Sequence, residues 1–384
     1  MINPVHFIQA LEKSGINLIT GVPDSLLKDF CACISDHKGR IKHIIATNEG
    51  SAIGLAIGQY LASSNPALVY MQNSGLGNVV NPLVSIADTN ICGIPMILLI
   101  GWRGEITAKK IQINDEPQHI KQGEITLAQL ELMDIPFQVI DGEIKSIDLV
   151  VKHAFSEALI RSGPVAIVVR KNTFSKYISH EGHSKRYELT REQVIKEVLN
   201  IIPSDTPIVS TTGMTSRELF ELRRLTNAGH QFDFLTVGGM GHANQIAAGL
   251  AFFKPEKKIL CLDGDGALLM HAGSLAISAD CQNLVHILIN NEAHDSVGGQ
   301  PTKGGNLKFD EIAHAFGYCH VASVSTVDQL REKLNDIFDM VGSVLIEVRC
   351  RKGARSDLGR PDCSPDQNKV DFMKFLGGKN EKPS

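Results

Sequence analysis

The 384-residue sequence has no apolar run of the roughly 20 residues that a membrane span requires. It also lacks the basic start and small-residue cleavage site of an export signal, since it begins Met-Ile-Asn-Pro-Val-His-Phe. We therefore expect a cytoplasmic protein with no membrane partner.

Paired cysteines and an excess of basic residues are missing as well. The eight cysteines are scattered and no two form a Cys-x-x-Cys pair, so we expect reduced, mostly buried thiols. The 38 Lys and Arg residues against 42 Asp and Glu residues give a net charge of -4, which argues against a general nucleic-acid binder. Any anionic substrate must therefore meet a local cluster of positive charge.

The length exceeds what one hydrophobic core usually organises, and strand and helix patterns alternate along both halves. Continuous apolar runs such as residues 95–101 suit strands covered on both faces of a parallel sheet. The predicted fold class is α/β, with two doubly wound parallel-sheet domains. We place the first at residues 1–178, a polar linker at 179–190 and the second domain at 191–384. Strands are predicted at 18–20, 42–46, 67–72, 96–100, 137–140 and 165–169, then at 207–210, 233–235, 258–262, 285–289, 319–321 and 343–348.

Two motifs of the second half point to a cation. A buried strand ends in the turn Gly264-Asp265-Gly266, a helix reaching to about Cys281 follows, and the next strand ends at Asn290-Asn291. One crossover thus brings Asp265 and Asn291 to the same carboxyl edge. Mg²⁺ favours oxygen ligands and is usually bound by one or two protein oxygens together with phosphate oxygens of the substrate or cofactor. The two motifs therefore imply a phosphorylated ligand, although an ordinary βα turn remains the alternative.

Gly-Asp-Gly followed after about 24 residues by Asn resembles the signature of thiamine-diphosphate-dependent enzymes. The resemblance implies that Asp265, Asn291 and the backbone of Ala293 bind Mg²⁺. It also implies that Gly264, Gly266 and Ala267 bind the cofactor, and that no middle domain separates a pyrimidine-type half from a pyrophosphate-type half.

Glu49 begins a helix after a strand, in the segment Ala46-Thr-Asn-Glu-Gly-Ser-Ala. An acidic residue there can simply complement the helix dipole. In the family, a glutamate in this place protonates the aminopyrimidine ring, so the resemblance makes Glu49 both a cofactor-binding and a catalytic residue.

The segment Val237-Gly-Gly-Met-Gly-His-Ala243 is another glycine turn before a helix, suited to an anion. It is not a dinucleotide fingerprint, because Asn244 stands where the last glycine belongs, which disfavours a nicotinamide dehydrogenase. By resemblance Met240 bends the cofactor, with Gly239, Gly241 and His242 near the pyrophosphate. A core methionine is the alternative.

Within the family the chain most closely resembles the compact phosphonopyruvate decarboxylases. The segments that carry this resemblance are Gly21-Val-Pro-Asp-Ser25, Asp115-Glu-Pro-Gln-His119, Thr212-Gly-Met-Thr-Ser-Arg-Glu218, His294-Asp-Ser-Val-Gly-Gly-Gln-Pro-Thr302 and Gly353-Ala-Arg-Ser-Asp-Leu-Gly-Arg-Pro361. The resemblance implies a carboxy-lyase that converts 3-phosphonopyruvate to phosphonoacetaldehyde and CO₂ in phosphonate biosynthesis, towards 2-aminoethylphosphonate. Sulfopyruvate decarboxylase and a thiamine-dependent carboligase remain alternatives, as does a non-catalytic binding protein on the same fold.

The substrate is thus expected to be a small anionic 2-oxo acid, and three residues are candidates for delivering a proton to the product: Asp24, His119 and His294. His119 lies in a polar stretch, 115–122, that we interpret as a lid. Arg355 and Arg360 are candidates for a phosphonate clamp, although they also suit a solvated surface.

The loop Asn73-Ser-Gly-Leu-Gly-Asn78 follows a strand, and by resemblance Asn73 and Ser74 help to hold the pyrimidine or the substrate. Family members also place the glutamate of one subunit against the cofactor of another. The resemblance therefore implies a homo-oligomer with active sites at subunit interfaces.

Overall fold

The computed structural model describes residues 1–107, 109–179 and 186–377. The chain divides into two compact units, Met1–Gly182 and His183–Ser384. Of the predicted linker, 179–190, the stretch 180–185 lies outside the described residues. No helix in the described ranges is long and apolar enough to cross a membrane.

The first unit is a six-stranded sheet, entirely parallel, with helices on both faces. Its strands are β1 (Leu18–Gly21), β2 (Lys42–Ile45), β3 (Ala67–Gln72), β4 (Met96–Gly101), β5 (Phe137–Ile140) and β6 (Pro164–Val169). Its helices are α1 (Pro4–Lys13), α2 (Lys28–Asp36), α3 (Glu49–Ser63), α4 (Leu76–Pro82), α5 (Pro117–Leu132) and α6 (Ile147–Arg161), and a π-helical turn, Leu83–Ala87, continues α4.

The second unit is also an all-parallel sheet of six strands. Its strands are β7 (Ile208–Ser210), β8 (Asp233–Leu235), β9 (Ile259–Gly264), β10 (Leu284–Asn290), β11 (His320–Val324) and β12 (Val344–Arg349). Its helices are α7 (Arg191–Ile201), α8 (Met214–Leu225), α9 (Ala243–Phe253), α10 (Asp265–Met270), α11 (Leu275–Ser278), α12 (Phe309–Ala315), α13 (Val327–Asp336) and α14 (Pro365–Phe375).

The two sheets share one topology. Their orders are β2-β1-β3-β4-β6-β5 and, read from the other edge, β8-β7-β9-β10-β12-β11. In both, the strand order reverses beside the first strand, and such switch points open a crevice at the carboxyl ends of the strands. The predicted α/β class with two parallel-sheet domains is confirmed.

The apolar runs are strands because alternate residues pack against opposite helical layers. In β3, Leu68 and Tyr70 belong to the core on one face of the sheet, whereas Val69 and Met71 belong to the core on the other face. Burial on both faces leaves no polar alternation in the sequence, which is why these strands read as continuous apolar runs.

Three predicted segments differ from the structure. The pattern of residues 25–35 predicts a helix, but the helix begins only at Lys28, because the Asp24 carboxylate accepts hydrogen bonds from the Leu26 and Leu27 amides and forms a turn first. The helix expected from the Asp265 turn to about Cys281 is broken at His271, whose φ of -138° is not helical. The predicted lid at 115–122 is largely the first turns of α5.

Candidate active site

The predicted cation residues of the second unit lie at adjacent strand ends. Gly264 of β9 pairs in register with Ile289 of β10, so Asp265 and Asn291 follow neighbouring ends of the sheet. The main chain of Gly304 packs against both strand ends, close to the Asp265 carboxylate and to Asn290 Oδ1. The structure thus brings together the two motifs that the sequence separates by about 24 residues.

Asp265 is 1% exposed, and its Oδ2 accepts a hydrogen bond from the Thr302 hydroxyl. Burial raises its pKa to about 7, although that hydrogen bond opposes the shift. Among the described residues no lysine, arginine or histidine forms an ion pair with it, and a buried carboxylate without a counter-charge is costly. A divalent cation would supply the missing charge, so Asp265 fits a metal ligand.

The Asn291 side chain is oriented by Asp295. Its Nδ2 donates to Asp295 Oδ2 over 2.7 Å, and this carboxylate oxygen also accepts from Arg191 Nη1 at 2.8 Å. With the amide nitrogen held there, Asn291 Oδ1 is the atom left for a cation, and it accepts from the Ala293 amide at 3.2 Å. Asp265, Asn291 and the nearby Ala293 backbone therefore offer the oxygen donors that suit Mg²⁺.

Asn290 has a different task from its neighbour. Its Nδ2 donates to Glu347 Oε1 at 2.7 Å and to the Gly304 carbonyl at 3.1 Å, while its Oδ1 accepts from the Glu292 amide at 3.1 Å. Because all its polar atoms are used inside the protein, Asn290 stabilises the strand end and the segment around Gly304.

The glycine turn predicted near the pyrophosphate leads into α9. Gly238, Gly239 and Gly241 all have positive φ, and the Gly241 backbone packs against Met270 and the Ala267 carbonyl just after the Asp265 turn. Met240 is half-buried and His242 is exposed. The predicted cofactor segments 239–242 and 264–267 therefore lie side by side, as an anion-binding site at this edge requires.

His294 lies against the turn formed by residues 264–266. A Cβ at Gly266 would lie 3.0 Å from His294 Cε1, so the imidazole and the turn are in close contact. Burial lowers the pKa of His294 to about 4, which keeps the ring neutral near pH 7.

In the first unit, Glu49 begins α3 after β2 and is 5% exposed. Asn48 caps the helix by accepting from the Ser51 amide at 2.7 Å, which places Glu49 in the first turn. Glu49 Oε2 accepts from Asn78 Nδ2 at 2.7 Å. Helix capping and this hydrogen bond fix the carboxylate at the carboxyl edge of the sheet.

Asp24 follows β1 and is fully buried. Its Oδ2 accepts from the two turn amides, whereas Oδ1 is buried with no hydrogen-bond partner among the described residues. Burial raises the pKa of Asp24 to about 6, and those amides and the positive charge of Arg103 oppose the shift. An acid with such a pKa can exchange a proton near neutral pH.

His119 lies in the first turn of α5 and is 6% exposed. Its Nδ1 is 3.0 Å from Asp115 Oδ1, and Asp115 in turn forms an ion pair with Arg103. Burial lowers the pKa of His119, and the charge of Arg103 lowers it further. The predicted residue is therefore a neutral imidazole held by a carboxylate.

Asn73 is 4% exposed and its amide is used internally. Nδ2 donates to the Arg103 carbonyl and to Thr126 Oγ1, both at 2.9 Å, and Oδ1 accepts from the Arg103 amide at 3.1 Å. Ser74 is exposed, and its hydroxyl accepts from Gln72 Nε2 at 2.8 Å. Asn73 therefore braces the segment after β4, and a direct substrate contact by either residue stays a prediction.

The two arginines of the predicted clamp lie on the segment after β12. Arg355 contacts three carboxylates: its Nε is 2.9 Å from Glu192 Oε1, its Nη1 is 3.1 Å from Asp357 Oδ1, and its Nη2 pairs with Glu221. Arg360 is exposed. A phosphonate would have to compete with these carboxylates for Arg355, and the clamp stays a prediction.

Sequence reasoning missed several residues that support the site. In the second unit these are Thr302, Asp295 and Arg191, and in the first unit Arg103 and Asp115. Only position in a motif-like segment marked Thr302, Asp295 and Asp115. Nothing in the sequence indicated which partners they would meet.

Models of two thiamine pyrophosphate enzyme domains match the chain. The N-terminal TPP binding domain matches residues 5–132, and the C-terminal TPP binding domain matches residues 211–348. These matches fall on the sheets that carry Glu49 and Asp265. The chain belongs to the thiamine pyrophosphate enzymes.

Three curated relatives match it nearly end to end. Phosphonopyruvate decarboxylase of Streptomyces viridochromogenes is 31% identical over 98% of this chain and 95% of its own length. The protein of the same name from Streptomyces hygroscopicus is 32% identical over 98% and 94%. Sulfopyruvate decarboxylase of Methanosarcina acetivorans is 25% identical over 98% of both chains.

Proposed function

We propose that the chain catalyses the thiamine-diphosphate- and Mg²⁺-dependent decarboxylation of phosphonopyruvate to phosphonoacetaldehyde and CO₂. The observation that carries this proposal is the near full-length likeness to two phosphonopyruvate decarboxylases, at 31% and 32% identity. Identity to the sulfopyruvate enzyme is lower, at 25% over the same share of the chain.

In this proposal the second unit holds the cofactor's charged end. Asp265, Asn291 and the Ala293 carbonyl bind Mg²⁺, and the amides of residues 239–242 bind the pyrophosphate. Bound thiamine diphosphate supplies the electron sink for the electron pair released when the carboxylate leaves as CO₂. The buried Asp265 carboxylate supports this assignment, because within the described part of the chain it forms no ion pair with a basic side chain.

The first unit supplies Glu49 and two of the three candidates for proton transfer, whereas the third candidate belongs to the second unit. Glu49 holds a proton at the aminopyrimidine ring, and the hydrogen bond from Asn78 keeps its carboxylate oriented. Asp24, with a pKa of about 6, and the neutral His119 ring are our candidates for carrying the proton that the product requires. His294 is the third candidate, at the cofactor turn.

An assay of CO₂ release tests the proposal directly. Phosphonopyruvate, sulfopyruvate and pyruvate are compared with and without thiamine diphosphate and Mg²⁺. We expect turnover only with both cofactors, and fastest with phosphonopyruvate. Absence of turnover of all three acids in the presence of both cofactors would contradict a decarboxylase function.

Sulfopyruvate decarboxylation is the second candidate, favoured by the full-length match to the Methanosarcina enzyme. The two substrates differ in the charge and hydrogen-bonding of their phosphonate or sulfonate group, so the rank order of kcat/KM decides between them. A carboligase would consume an added aldehyde. Product analysis with and without that aldehyde separates it from a simple decarboxylase.

We also propose that the protein is a homo-oligomer whose active sites combine Glu49 of one copy with Asp265 of another. The test mixes two inactive variants, Glu49→Gln and Asp265→Asn, after dissociation and reassembly. Mixed oligomers would then contain some intact sites, and activity should partly return. If the two residues serve the cofactor within one copy, mixing restores nothing.

A further inference from the structure

Arg103 connects three of the loops at the carboxyl edge of the first sheet. It lies two residues after β4, and its main chain is held on both sides by the Asn73 amide, from the loop after β3. Its Nη1 donates to Ser25 Oγ at 2.7 Å, next to Asp24 in the loop after β1. The position of the Arg103 side chain is thus fixed by contacts that do not involve Asp115.

The contact between Arg103 and Asp115 is two-pronged. Nε donates to Asp115 Oδ2 at 2.8 Å, and Nη2 donates to Oδ1 at 2.5 Å. The Gly104 amide also donates to Oδ2, at 3.0 Å. Such a planar fork fixes the rotation of a carboxylate as well as its position, which a single ammonium group does not do.

The fixed carboxylate then meets His119. Asp115 Oδ1, which accepts from Arg103, lies 3.0 Å from His119 Nδ1 one helical turn later. Burial disfavours the ionised form of Asp115, but its hydrogen bonds, led by those from Arg103, lower its pKa well below the usual range. An ionised Asp115 can only accept a hydrogen bond, so the neutral ring carries its proton on Nδ1 and leaves Nε2 without one.

We propose that Arg103 is a positioning residue for His119, acting through the orientation and charge of Asp115. The proposal rests on the proposed function, in which His119 is a candidate for proton transfer at the carboxyl edge. In this proposal Arg103 acts through Asp115 and not by contacting the substrate, since its guanidinium nitrogens donate to Asp115 and Ser25. Its guanidinium sets which ring nitrogen of His119 faces the site and keeps the lone pair of that nitrogen available, so that Nε2 can take up a proton from water and pass it to the product.

A structural role alone would give a different result from a positioning role. Arg170 provides the matched control, because it anchors the same segment without contacting Asp115. Its Nη1 lies 3.6 Å from Glu105 Oε1, its two terminal nitrogens donate to the Ile106 carbonyl, and it stacks over Trp102. Arg170→Gln therefore loosens the segment but leaves the Arg103–Asp115–His119 chain intact.

The decisive measurement is the pKa of His119 in the cofactor-free protein, followed by NMR of labelled histidine. Among the described residues, the charged groups that act most strongly on the ring are Arg103, Asp115 and Glu116. Arg103→Gln removes a positive charge and should raise this pKa, whereas Asp115→Asn removes a negative charge and should lower it. Arg170→Gln should leave it unchanged.

Activity provides the second readout. Arg103→Gln and Asp115→Asn should lower kcat by about tenfold or more with a much smaller change in KM, which is part of the roughly 10²- to 10⁴-fold that an oriented proton-transfer group contributes. Arg103→Lys should recover little, because one ammonium cannot replace the fork. If the His119 pKa does not move in opposite directions in the two variants, the positioning role is wrong. If the pKa moves but no 2-oxo acid is turned over by the wild type, the proposed function fails and the positioning role stands.

Discussion

The Gly101 backbone and the Asp24 carboxylate are packed so closely that no side chain fits between them. A Cβ built on Gly101, the last residue of β4, would overlap Asp24 Oδ2 and lie 3.0 Å from its Cγ. Asp24 is in the loop after β1, and β3 lies between these two strands in the sheet. The position of the Asp24 carboxylate, a proposed catalytic group, therefore depends on a glycine 77 positions further along the chain.

Gly101→Ala should displace the Asp24 carboxylate. Because the site is fully buried, we expect overpacking to lower the free energy of unfolding by about 1–3 kcal/mol, together with a loss of kcat larger than any change in KM. Thermal unfolding and steady-state kinetics of the purified variant measure the two effects.

Gly54→Ala is the matched control, because its Cβ would meet no atom within 4 Å on the exposed side of α3. It should increase stability by up to about 1 kcal/mol through helix propensity and leave kcat unchanged. A Gly101→Ala enzyme with wild-type kcat would show that Asp24 need not occupy this position.

Asp24 should also make stability depend on pH. Burial raises its pKa from 3.8 to about 6, so the folded protein retains a proton that the unfolded chain releases. The free energy of unfolding is therefore highest below pH 3.8 and falls as the pH rises to 6. The total decrease is about 3 kcal/mol, at about 1.36 kcal/mol for each pH unit between the two pKa values. Asp24→Asn removes this dependence. The unfolding midpoint of the variant relative to wild type should rise between pH 4 and pH 7, and a constant difference would rule out the raised pKa.

The sheets were predictable because their strands are buried on both faces and leave long apolar runs such as residues 95–101. The roles of Arg103 and Asp295 were not predictable in the same way. Arg103 meets Asp115 across a 12-residue separation and Ser25 across 78 residues, so its partners are set by the fold and not by local spacing. The break at His271 was also missed, since the apolar pattern continues through it and only the backbone conformation ends the helix.

Gly304→Ala should damage the proposed metal site. A Cβ there would overlap Asp265 Oδ2 and lie 2.8 Å from Asn290 Oδ1, so the carboxylate must move. We expect the increase in melting temperature caused by thiamine diphosphate and Mg²⁺ to shrink or disappear, because ligand stabilisation falls with affinity. Differential scanning fluorimetry with and without both ligands measures this increase.

Gly273→Ala serves as the control for that experiment. Gly273 lies in the same unit, and a Cβ there would meet no atom within 4 Å. It should retain the full ligand-dependent increase. An equal increase in the Gly304→Ala protein would place the cation elsewhere.

Asp295→Ala should weaken Mg²⁺ binding without removing any proposed ligand. Asp295 Oδ2 accepts from Asn291 Nδ2 at 2.7 Å, from Arg191 Nη1 at 2.8 Å and from the Gly353 amide at 2.9 Å. Without this acceptor the Asn291 amide is free to rotate and to turn its nitrogen towards the cation. We expect the apparent dissociation constant of Mg²⁺, titrated calorimetrically at fixed thiamine diphosphate, to rise about 10- to 100-fold, as for other residues that orient metal ligands.

Asp295→Ala should lower the free energy of unfolding of the second unit only slightly, although it weakens Mg²⁺ binding. Arg191 keeps its buried, two-pronged pair with Glu218, at 2.8 and 2.9 Å, so no charge is left without a partner. Glu197→Gln, which breaks the surface pair with Arg331, controls for the loss of an ion pair in the same unit and should leave Mg²⁺ affinity unchanged. If Asp295→Ala binds Mg²⁺ as tightly as wild type, the Asn291 side chain is either oriented by other contacts or is not a ligand. Asn291→Ala then distinguishes these two possibilities. The variant should bind Mg²⁺ more weakly if Asn291 is a ligand, and as tightly as wild type if it is not.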